Sequence, residues 1–179
     1  MWHSKLKSRS EQKPKPKTKT ADEALKTLEW LCARAERSSG DARRLMRGWG
    51  VAEADREKVL AALIANRFVD NHRYAAAFVR EKTRLSGWGA YKIRQALQRK
   101  GVENECIDEA LSQINSDESL TRLLSKLDQK LRSVRYATNY ELKTKLIRYA
   151  LSLGYDYSIV QSAVDQKLKE LDKSCDEIF

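Results

Sequence analysis

Residues 96–102 have the sequence ALQRKGV, and similar endings occur at residues 45–51, LMRGWGV, and 149–155, YALSLGY. The glycines at the sixth position of these segments lie 51 and 53 residues apart, and an apolar pair follows each glycine nine and ten residues later. A fixed period of this size indicates one supersecondary unit used several times. Glycine suits this position because a helix commonly ends on a left-handed residue, a conformation that glycine adopts without steric cost. The pattern predicts an all-α fold of three tandem three-helix repeats, each resembling a helix-turn-helix unit.

The apolar periodicity divides the chain into five segments. We expect a disordered basic tail over residues 1–20, repeat 1 over 21–69, repeat 2 over 70–115, repeat 3 over 116–170 and a frayed end over 171–179. Both prolines fall within the first sixteen residues, so proline does not interrupt a helix beyond them. Repeats stacked in series predict an elongated, curved molecule.

Individual helices are specified by apolar side chains at steps of three and four residues. The clearest stripe consists of Ile107, Ala110, Leu111 and Ile114, at positions i, i+3, i+4 and i+7. On the first helix of repeat 2, we expect one shared face for Tyr74, Ala77, Phe78 and Leu85. Ser38 and Thr138 precede second helices and offer side-chain oxygens that can cap them.

The net charge of +10 is distributed unevenly. Residues 1–20 carry +6 and residues 72–102 carry +7, whereas residues 103–120 carry −6. Local fields are therefore more informative than the overall charge. The tail has two open interpretations: a tether to phosphates or to an acidic protein face, or a solubilising segment without a specific partner.

The sequence argues against several functional classes. No stretch approaches the roughly 20 apolar residues of a membrane span, and the beginning lacks the apolar region of a secretory signal, which predicts a cytoplasmic protein. Three cysteines without a C-x-x-C pair argue against a disulfide framework and a zinc site. We find no Walker loop or nucleophile elbow, and Asp70 near His72 is interpreted as a helix cap. We therefore expect no enzyme, metal or cofactor.

The candidate contact residues are basic side chains on the second helices and at the start of repeat 2. In a helix over residues 90–100, Ile93 and Leu97 face the core, so neighbouring cations project elsewhere. The candidates for contact with a partner or a nucleic acid are Arg73, Lys92, Arg94, Arg99, Lys100, Lys143, Lys145 and Arg148. The alternative is that these cations simply form solvated helix faces.

A family resemblance is carried by the run DNHRYA at residues 70–75, then FVR at 78–80, GWG at 87–89, KIRQAL at 92–97 and KGV at 100–102. These motifs resemble the middle repeat of RecX, the bacterial regulator of the RecA recombinase, and residues 36–38, ERS, resemble its first unit. Asn71 replaces a frequent acidic residue, and Gly48-Trp49 replaces an ordinary helix end.

The resemblance implies a non-catalytic regulator, mainly an inhibitor, of RecA. Such a protein binds along the groove of the RecA–DNA filament and limits filament extension, strand exchange and coprotease activity, thereby modulating DNA repair, recombination and the SOS response. The implied partners are the RecA filament and, weakly and without sequence specificity, single- or double-stranded DNA. The protein is expected to be a monomer.

A different class of protein also has three-helix units with a basic second helix, namely the autonomous helix-turn-helix DNA-binding proteins. In that case Lys92, Arg94, Arg99 and Lys100 would face the duplex. The acidic third helix of repeat 2 argues against this alternative, because it would repel phosphates. The sequence leaves open which repeat dominates RecA contact, whether the tail contributes, and whether the protein caps filaments or fills their groove.

Overall fold

A computed structural model describes residues 18–176 of the 179-residue chain. Over these residues the structure has nine α-helices, one π-helical turn and no strand. The α-helices are α1 Ala21–Arg34, α2 Ser39–Gly48, α3 Glu53–Ala65, α4 Asn71–Glu81, α5 Ala90–Arg99, α6 Asn104–Ser112, α7 Ser116–Leu131, α8 Asn139–Ser152 and α9 Tyr157–Asp176, and the π turn is Lys82–Ser86. This architecture confirms the prediction of an all-α fold built from three-helix repeats.

Each repeat has its own hydrophobic core. Leu28, Met46 and Leu63 are fully buried in the core of α1 to α3. Ile93, Leu97 and Ile107 are fully buried in the core of α4 to α6. Leu123, Leu127, Leu146, Val160 and Val164 are fully buried in the core of α7 to α9. Among residues 18–176, no helix is both long and apolar enough to span a bilayer.

The three glycines that define the period end the second helices in the predicted way. Gly50, Gly101 and Gly154 have φ values of 68°, 68° and 87°, so all three are left-handed. The next residue is buried each time, as Val51, Val102 or Tyr155. A hydrogen bond runs from the backbone N–H after the glycine to a carbonyl five residues earlier in the first two repeats, at 3.1 Å and 3.2 Å. These bonds satisfy carbonyl groups that the helix end leaves open.

The predicted caps are also present. Ser38 Oγ accepts from Asp41 N at 3.0 Å, and Thr138 Oγ1 accepts from the third residue of α8 at 3.2 Å. Asp70 Oδ1 accepts from Arg73 N at 3.0 Å, which confirms that Asp70 caps α4. Each cap satisfies a backbone N–H group that has no partner within its helix.

One expectation about helix geometry was wrong. Leu85 is 77% exposed instead of lying on the apolar face of α4, because the π turn inserts an irregular step after Glu81. Thr83 Oγ1 donates to Val79 O at 2.8 Å within this turn, and the left-handed Gly87 ends it. Helix α9 extends to Asp176, and fraying from residue 171 stays a prediction.

The expected disordered tail lies largely outside the described residues, since residues 1–17 are not among them. Its last three residues are ordered against repeat 1. Lys19 N donates to Trp49 O at 3.0 Å, and the Lys19 ammonium lies 4.3 Å from the centre of the Trp49 ring. Thr20 then caps α1 in a capping box with Glu23. Residues 18–20 thus contact repeat 1, and the boundary of the tail at residue 20 stays a prediction.

Candidate partner-binding surface

Seven of the eight candidate cations lie on or beside α5 and α8, the second helices of repeats 2 and 3. The fully buried Ile93 and Leu97 fix the orientation of α5, and the buried Leu142 and Leu146 fix that of α8. The polar sides of these helices consequently lie away from the two cores. Some of their cations nevertheless contact a neighbouring repeat.

Repeats 1 and 2 meet at a first joint, which we define as the contact of residues 38–41 with Lys100 and Gly101. Ser38 Oγ donates to Lys100 O at 2.6 Å, and Ser39 Oγ donates to Gly101 O at 3.1 Å. The backbone at Gly40 approaches so closely that an added Cβ would lie under 3.0 Å from Lys100 O. The start of α2 is therefore seated directly on the turn that ends α5.

An amide side chain completes the first joint. Asn71 Nδ2 donates to Ser39 Oγ at 2.8 Å, while Asn71 Oδ1 accepts from Ser39 N at 3.0 Å. The same amide nitrogen lies 2.5 Å from Glu103 Oε2. A carboxylate could not donate the bonds to Ser39 Oγ and Glu103, so the amide of Asn71 serves the contact between the repeats.

Lys100 supplies the charge of the first joint. Its ammonium lies 3.3 Å from Asp41 Oδ2, and the Asp41 side chain is 8% exposed. Burial opposes the charged lysine, but the neighbouring Tyr74 hydroxyl and Asp41 carboxylate outweigh it and raise the pKa of Lys100. Lys100, predicted as a partner contact, is thus occupied inside the molecule.

Repeats 2 and 3 meet at a second joint, the contact of residues 89–92 with residues 152–154. Gly89 N donates to Leu153 O at 2.8 Å, and Tyr91 N donates to Gly154 O at 3.1 Å. A Cβ at Gly89 would lie under 3.0 Å from Gly154 O. A phosphate-binding loop needs free backbone N–H groups, but the Gly89 N–H group already donates to a carbonyl. The GWG segment at residues 87–89 therefore does not form such a loop.

Lys92 belongs to the second joint. Its ammonium donates to Ser152 O at 2.9 Å and lies 4.8 Å from the centre of the Trp88 ring. Its aliphatic stem borders Gly154, where an added Cβ would meet Lys92 Cβ and its backbone. This candidate contact residue therefore lies between repeats.

The two joints and the docked Thr18–Lys19 segment use equivalent carbonyl groups. The residue before each left-handed glycine accepts a hydrogen bond from an earlier part of the chain, through Trp49 O, Lys100 O and Leu153 O. The donors are a backbone N–H, a serine hydroxyl and another backbone N–H. The periodic glycine turn is thus both a helix end and a docking point for the preceding segment.

Arg73, Arg94 and Lys143 form ion pairs within the protein. Arg73 Nε lies 2.6 Å from Glu36 Oε1, and hydrogen bonding to Glu36 raises the pKa of Arg73. Arg94 is 2.5 Å from Asp108, and Lys143 is 2.7 Å from Asp165. All three cations remain partly exposed, so an acidic partner would have to compete with these carboxylates.

Arg99 and Arg148 are exposed, and their side chains have no ion-pair or hydrogen-bond partner among residues 18–176. Arg148 lines a shallow groove in repeat 3 together with Lys130, Arg135, Lys145 and Tyr149. Lys145 is held at its edge by Glu141, at 2.7 Å, and by Arg135 O, also at 2.7 Å. No acidic side chain lines the groove. The groove thus brings two candidate residues, Lys145 and Arg148, together with two further cations.

Sequence reasoning missed Lys130 and Arg135 in this groove, and it missed Ser39 and Asn71 in the first joint. Lys130 lies on α7, and Arg135 lies in the connection to α8, so no periodicity relates either residue to α8. The sequence did contain a signal for the two joints. A second glycine, Gly40 or Gly89, stands at the start of a second helix, where close approach of two backbones requires a missing side chain.

The histidine and cysteine side chains of the described residues were also considered as possible functional groups. His72 Nδ1 lies 2.5 Å from Glu109 Oε2, which joins α4 to α6, and both side chains are more than half exposed. Cys106 is buried, and burial raises the pKa of its thiol. Within the part of the chain that the structure describes, no three histidine, cysteine or acidic residues are grouped as metal ligands.

Comparisons with known proteins agree with the repeat architecture. Residues 70–111 match the family described as "RecX, second three-helix domain". Two crystal structures of RecX proteins share the fold. The one from Lactobacillus salivarius has a TM-score of 0.73 at 15% identity and covers 82% of this chain and 95% of that chain. The other has a TM-score of 0.76 at 22% identity and covers 81% of this chain and 73% of that chain.

Curated relatives carry the name "Regulatory protein RecX". The protein from Clostridium botulinum (strain Eklund 17B / Type B) is 31% identical over 152 residues, which cover 84% of this chain and 69% of the relative. The protein from Lactococcus lactis subsp. cremoris (strain SK11) is 31% identical over 141 residues, 76% of this chain and 52% of the relative. The chain thus spans about half the length of some relatives that it matches. Identity along most of this chain, together with the match over repeat 2, shows that the chain belongs to the RecX family.

Proposed function

We propose that this protein is a non-catalytic regulator, mainly an inhibitor, of RecA recombinase. In this proposal it binds along the groove of the RecA–DNA filament and limits filament extension, strand exchange and coprotease activity, thereby modulating DNA repair, recombination and the SOS response. A cytoplasmic location, a monomeric state and weak nonspecific DNA affinity belong to the same proposal. Family membership and the regulatory names of the relatives support it.

The observation that carries the proposal is a row of arginines on the exposed sides of the three second helices. Arg44 lies six residues before Gly50, and Arg148 lies six residues before Gly154. Arg99 lies two residues before Gly101. Positions four residues apart share a helix face. Each repeat therefore contributes one exposed arginine to equivalent faces, although Arg44 also pairs with Asp41.

A periodic row of cations fits a partner that is itself periodic. The filament groove presents successive protomers, and separated charges can select orientation and register on such a partner. The hydrogen-bonded joints support this role because they connect the second helices of adjacent repeats directly. Affinity would then come from several modest contacts acting together.

The alternative of an autonomous helix-turn-helix DNA-binding protein is disfavoured by the joints. A recognition helix presents its N-terminal residues to base edges in the major groove. At α5 those residues are Gly89 to Lys92, and they are seated on the turn at Gly154 of repeat 3. A duplex could reach this end of α5 only if the second joint opened.

The decisive experiment measures DNA-dependent ATP hydrolysis and strand exchange by RecA from the same bacterium on single-stranded DNA. Substoichiometric protein should lower both activities, because blocking extension requires few occupied sites. An unchanged rate at equimolar protein would remove the proposal. Sequence-specific retention of duplex DNA without RecA would favour the alternative.

A further inference from the structure

A second basic feature lies between repeats 2 and 3, away from the groove of repeat 3 and the arginine row. It is a cleft of about 350 Å³ between the C-terminal half of α4, with its π turn, and the segment from the end of α6 into α7. Three arginines line it: Arg80, Arg84 and Arg122. None of the three belongs to the predicted contact set or to either joint.

The charge on one wall of the cleft is uncompensated. Arg80 and Arg84 are exposed, and neither side chain has an ion-pair or hydrogen-bond partner among residues 18–176. The adjacent Glu81 is paired with Lys82 at 2.7 Å. Arg80 and Arg84 therefore keep their charge with no acidic side chain among the lining residues of that wall.

The opposite wall adds a third cation. Arg122 on α7 is held by Glu118, one turn earlier, and its side chain is 28% exposed. Glu118 is the single acidic residue of the cleft lining, against the three arginines. The cleft thus presents a net positive charge to an entering group.

The floor indicates which part of a ligand the cleft can recognise. Ala76, Val79, Ala110 and Ile114 supply small and branched apolar side chains, and the lining contains no aromatic ring. Bases of single strands are held by stacking on aromatic side chains, so this cleft has no stacking platform. Guanidinium groups instead match the geometry of phosphate oxygens.

The π turn is an independent sign of a functional site. Residues 82–86 form it directly after Arg80 and include Arg84, and Thr83 Oγ1 donates to Val79 O and Arg80 O at 2.8 Å and 3.2 Å. Single π turns within helices are rare and are frequent at functional sites. Here the turn lies beside the cleft and positions Arg84 on its wall.

We propose that this cleft binds the phosphodiester backbone of single-stranded nucleic acid through Arg80 and Arg84, with Arg122 as a third donor and without recognition of the bases. Its volume lies at the small end of ligand pockets and admits a few backbone units, but not a duplex. This inference rests on the weak nonspecific DNA affinity of the proposed function and assigns it a site. Its test requires no RecA, so its failure and that of RecA regulation are distinguishable.

The test uses the full chain and a fluorescein-labelled 20-residue oligothymidylate without RecA. Fluorescence anisotropy over a salt series is compared for the parent, the R80Q/R84Q double variant and a K26Q/R47Q control. Lys26 and Arg47 are exposed cations of repeat 1, so the control removes the same charge elsewhere. The R80Q/R84Q variant should lower the slope of log K against log salt by about 1.4, since each phosphate contact to a single strand contributes about 0.7. The control should change it less.

A residue-specific measurement tests binding at the cleft even if the basic tail also binds the oligonucleotide. Arginine modification by p-hydroxyphenylglyoxal, quantified by peptide mass spectrometry, should slow at Arg80 and Arg84 when the oligonucleotide is bound, but not at Arg47. Equal protection of all three arginines, or equal slopes for both double variants, would overturn the proposal. Tighter competition by an oligoglutamate of the same charge would assign the cleft to an acidic protein segment, and tighter competition by tripolyphosphate would assign it to a free phosphate compound. Either result also overturns the proposal.

Discussion

The first and second joints have the same geometry but different chemistry. In both, the start of a second helix is seated on the glycine turn that ends the second helix of the next repeat, and a glycine makes the approach possible. The first joint is held by the side chains of Ser38, Ser39 and Asn71. The second is held mainly by the backbone N–H groups of Gly89 and Tyr91, to which the Lys92 ammonium adds a hydrogen bond to Ser152 O.

This difference separates the glycines, which both joints require, from the hydrogen-bond donors, which differ between the joints. The glycine pair is common to both joints because two backbones cannot approach to hydrogen-bonding distance past a Cβ. The donors differ because a hydroxyl and an N–H group can satisfy the same carbonyl oxygen. Substitutions of the glycines should therefore damage both joints, whereas loss of a serine hydroxyl should damage only the first.

The largest effect is expected for Gly89→Ala and Gly40→Ala. A methyl group at either position would press on a backbone carbonyl, and overpacking typically costs about 1–3 kcal/mol. Lost joint hydrogen bonds add to this cost. Urea unfolding followed by circular dichroism should show the loss, and limited proteolysis should show faster cleavage near the altered joint.

Gly48→Ala is the matched control, because an added Cβ there meets nothing within 4 Å. Alanine is also favoured over glycine in a helix by roughly 0.5–1 kcal/mol. This variant should be neutral or slightly stabilised. If Gly89→Ala behaves like Gly48→Ala, the second joint does not contribute to stability.

A smaller effect, confined to the first joint, is expected for Ser38→Ala. The change removes the hydrogen bond to Lys100 O and also the N-cap of α2. Loss of an N-cap costs about 0.5–2 kcal/mol, and the buried carbonyl loses a donor. The free energy of unfolding should fall by about 2 kcal/mol in urea titrations.

Tyr91→Ala is the corresponding change in the second joint. The Tyr91 side chain is 67% exposed, and the joint uses only its backbone N–H. Its removal should leave stability within about 0.5 kcal/mol of the parent. A loss equal to that of Ser38→Ala would contradict the division between side-chain and backbone joints.

The general shape of the joints could be partly predicted from the sequence, but their chemistry could not. The period of Gly50, Gly101 and Gly154 gave three repeats and the ends of the second helices, because glycine at a helix end has a local physical cause. Contact between repeats depends on residues far apart in the chain, such as Ser38 and Lys100. No local sequence pattern encodes a contact between residues so far apart in the chain.

Whether a candidate cation is free to contact a partner was harder to predict than the helices, for the same reason. Periodicity shows that Lys92 and Lys100 point away from their own core, but it does not show that a neighbouring repeat lies there. The π turn also escaped prediction, because Lys82 to Ser86 contain no residue that excludes an ordinary helix. Leu85 was consequently assigned to the wrong face.

Alkaline pH should weaken the first joint through Lys100. A lysine whose pKa is raised by folding stabilises the protein fully below its unfolded pKa, about 10.4. That contribution is lost as the pH rises through the higher folded pKa. Stability measured by urea titration from pH 9 to 11.5 should therefore decline less steeply in Lys100→Met than in the parent. Identical slopes would show that the Asp41 contact does not favour the charged lysine.

The smallest effect on stability, and a large one on function, is expected for Arg99→Glu combined with Arg148→Glu. Both side chains are exposed and lie outside the two joints, so each change should alter stability by about 0.5 kcal/mol or less. If the arginine row contacts RecA, two reversed charges should raise the concentration needed for half-inhibition of RecA ATP hydrolysis by tenfold or more, since about 1.4 kcal/mol corresponds to a factor of ten. Lys26→Glu, an exposed change on α1, serves as the control and should inhibit like the parent. Lys92→Glu would not be an equivalent test, because Lys92 also holds the second joint. A doubly reversed protein with unchanged circular dichroism and unchanged inhibition would exclude the second helices of repeats 2 and 3 as the interface, and would direct the search to repeat 1 and the first helices.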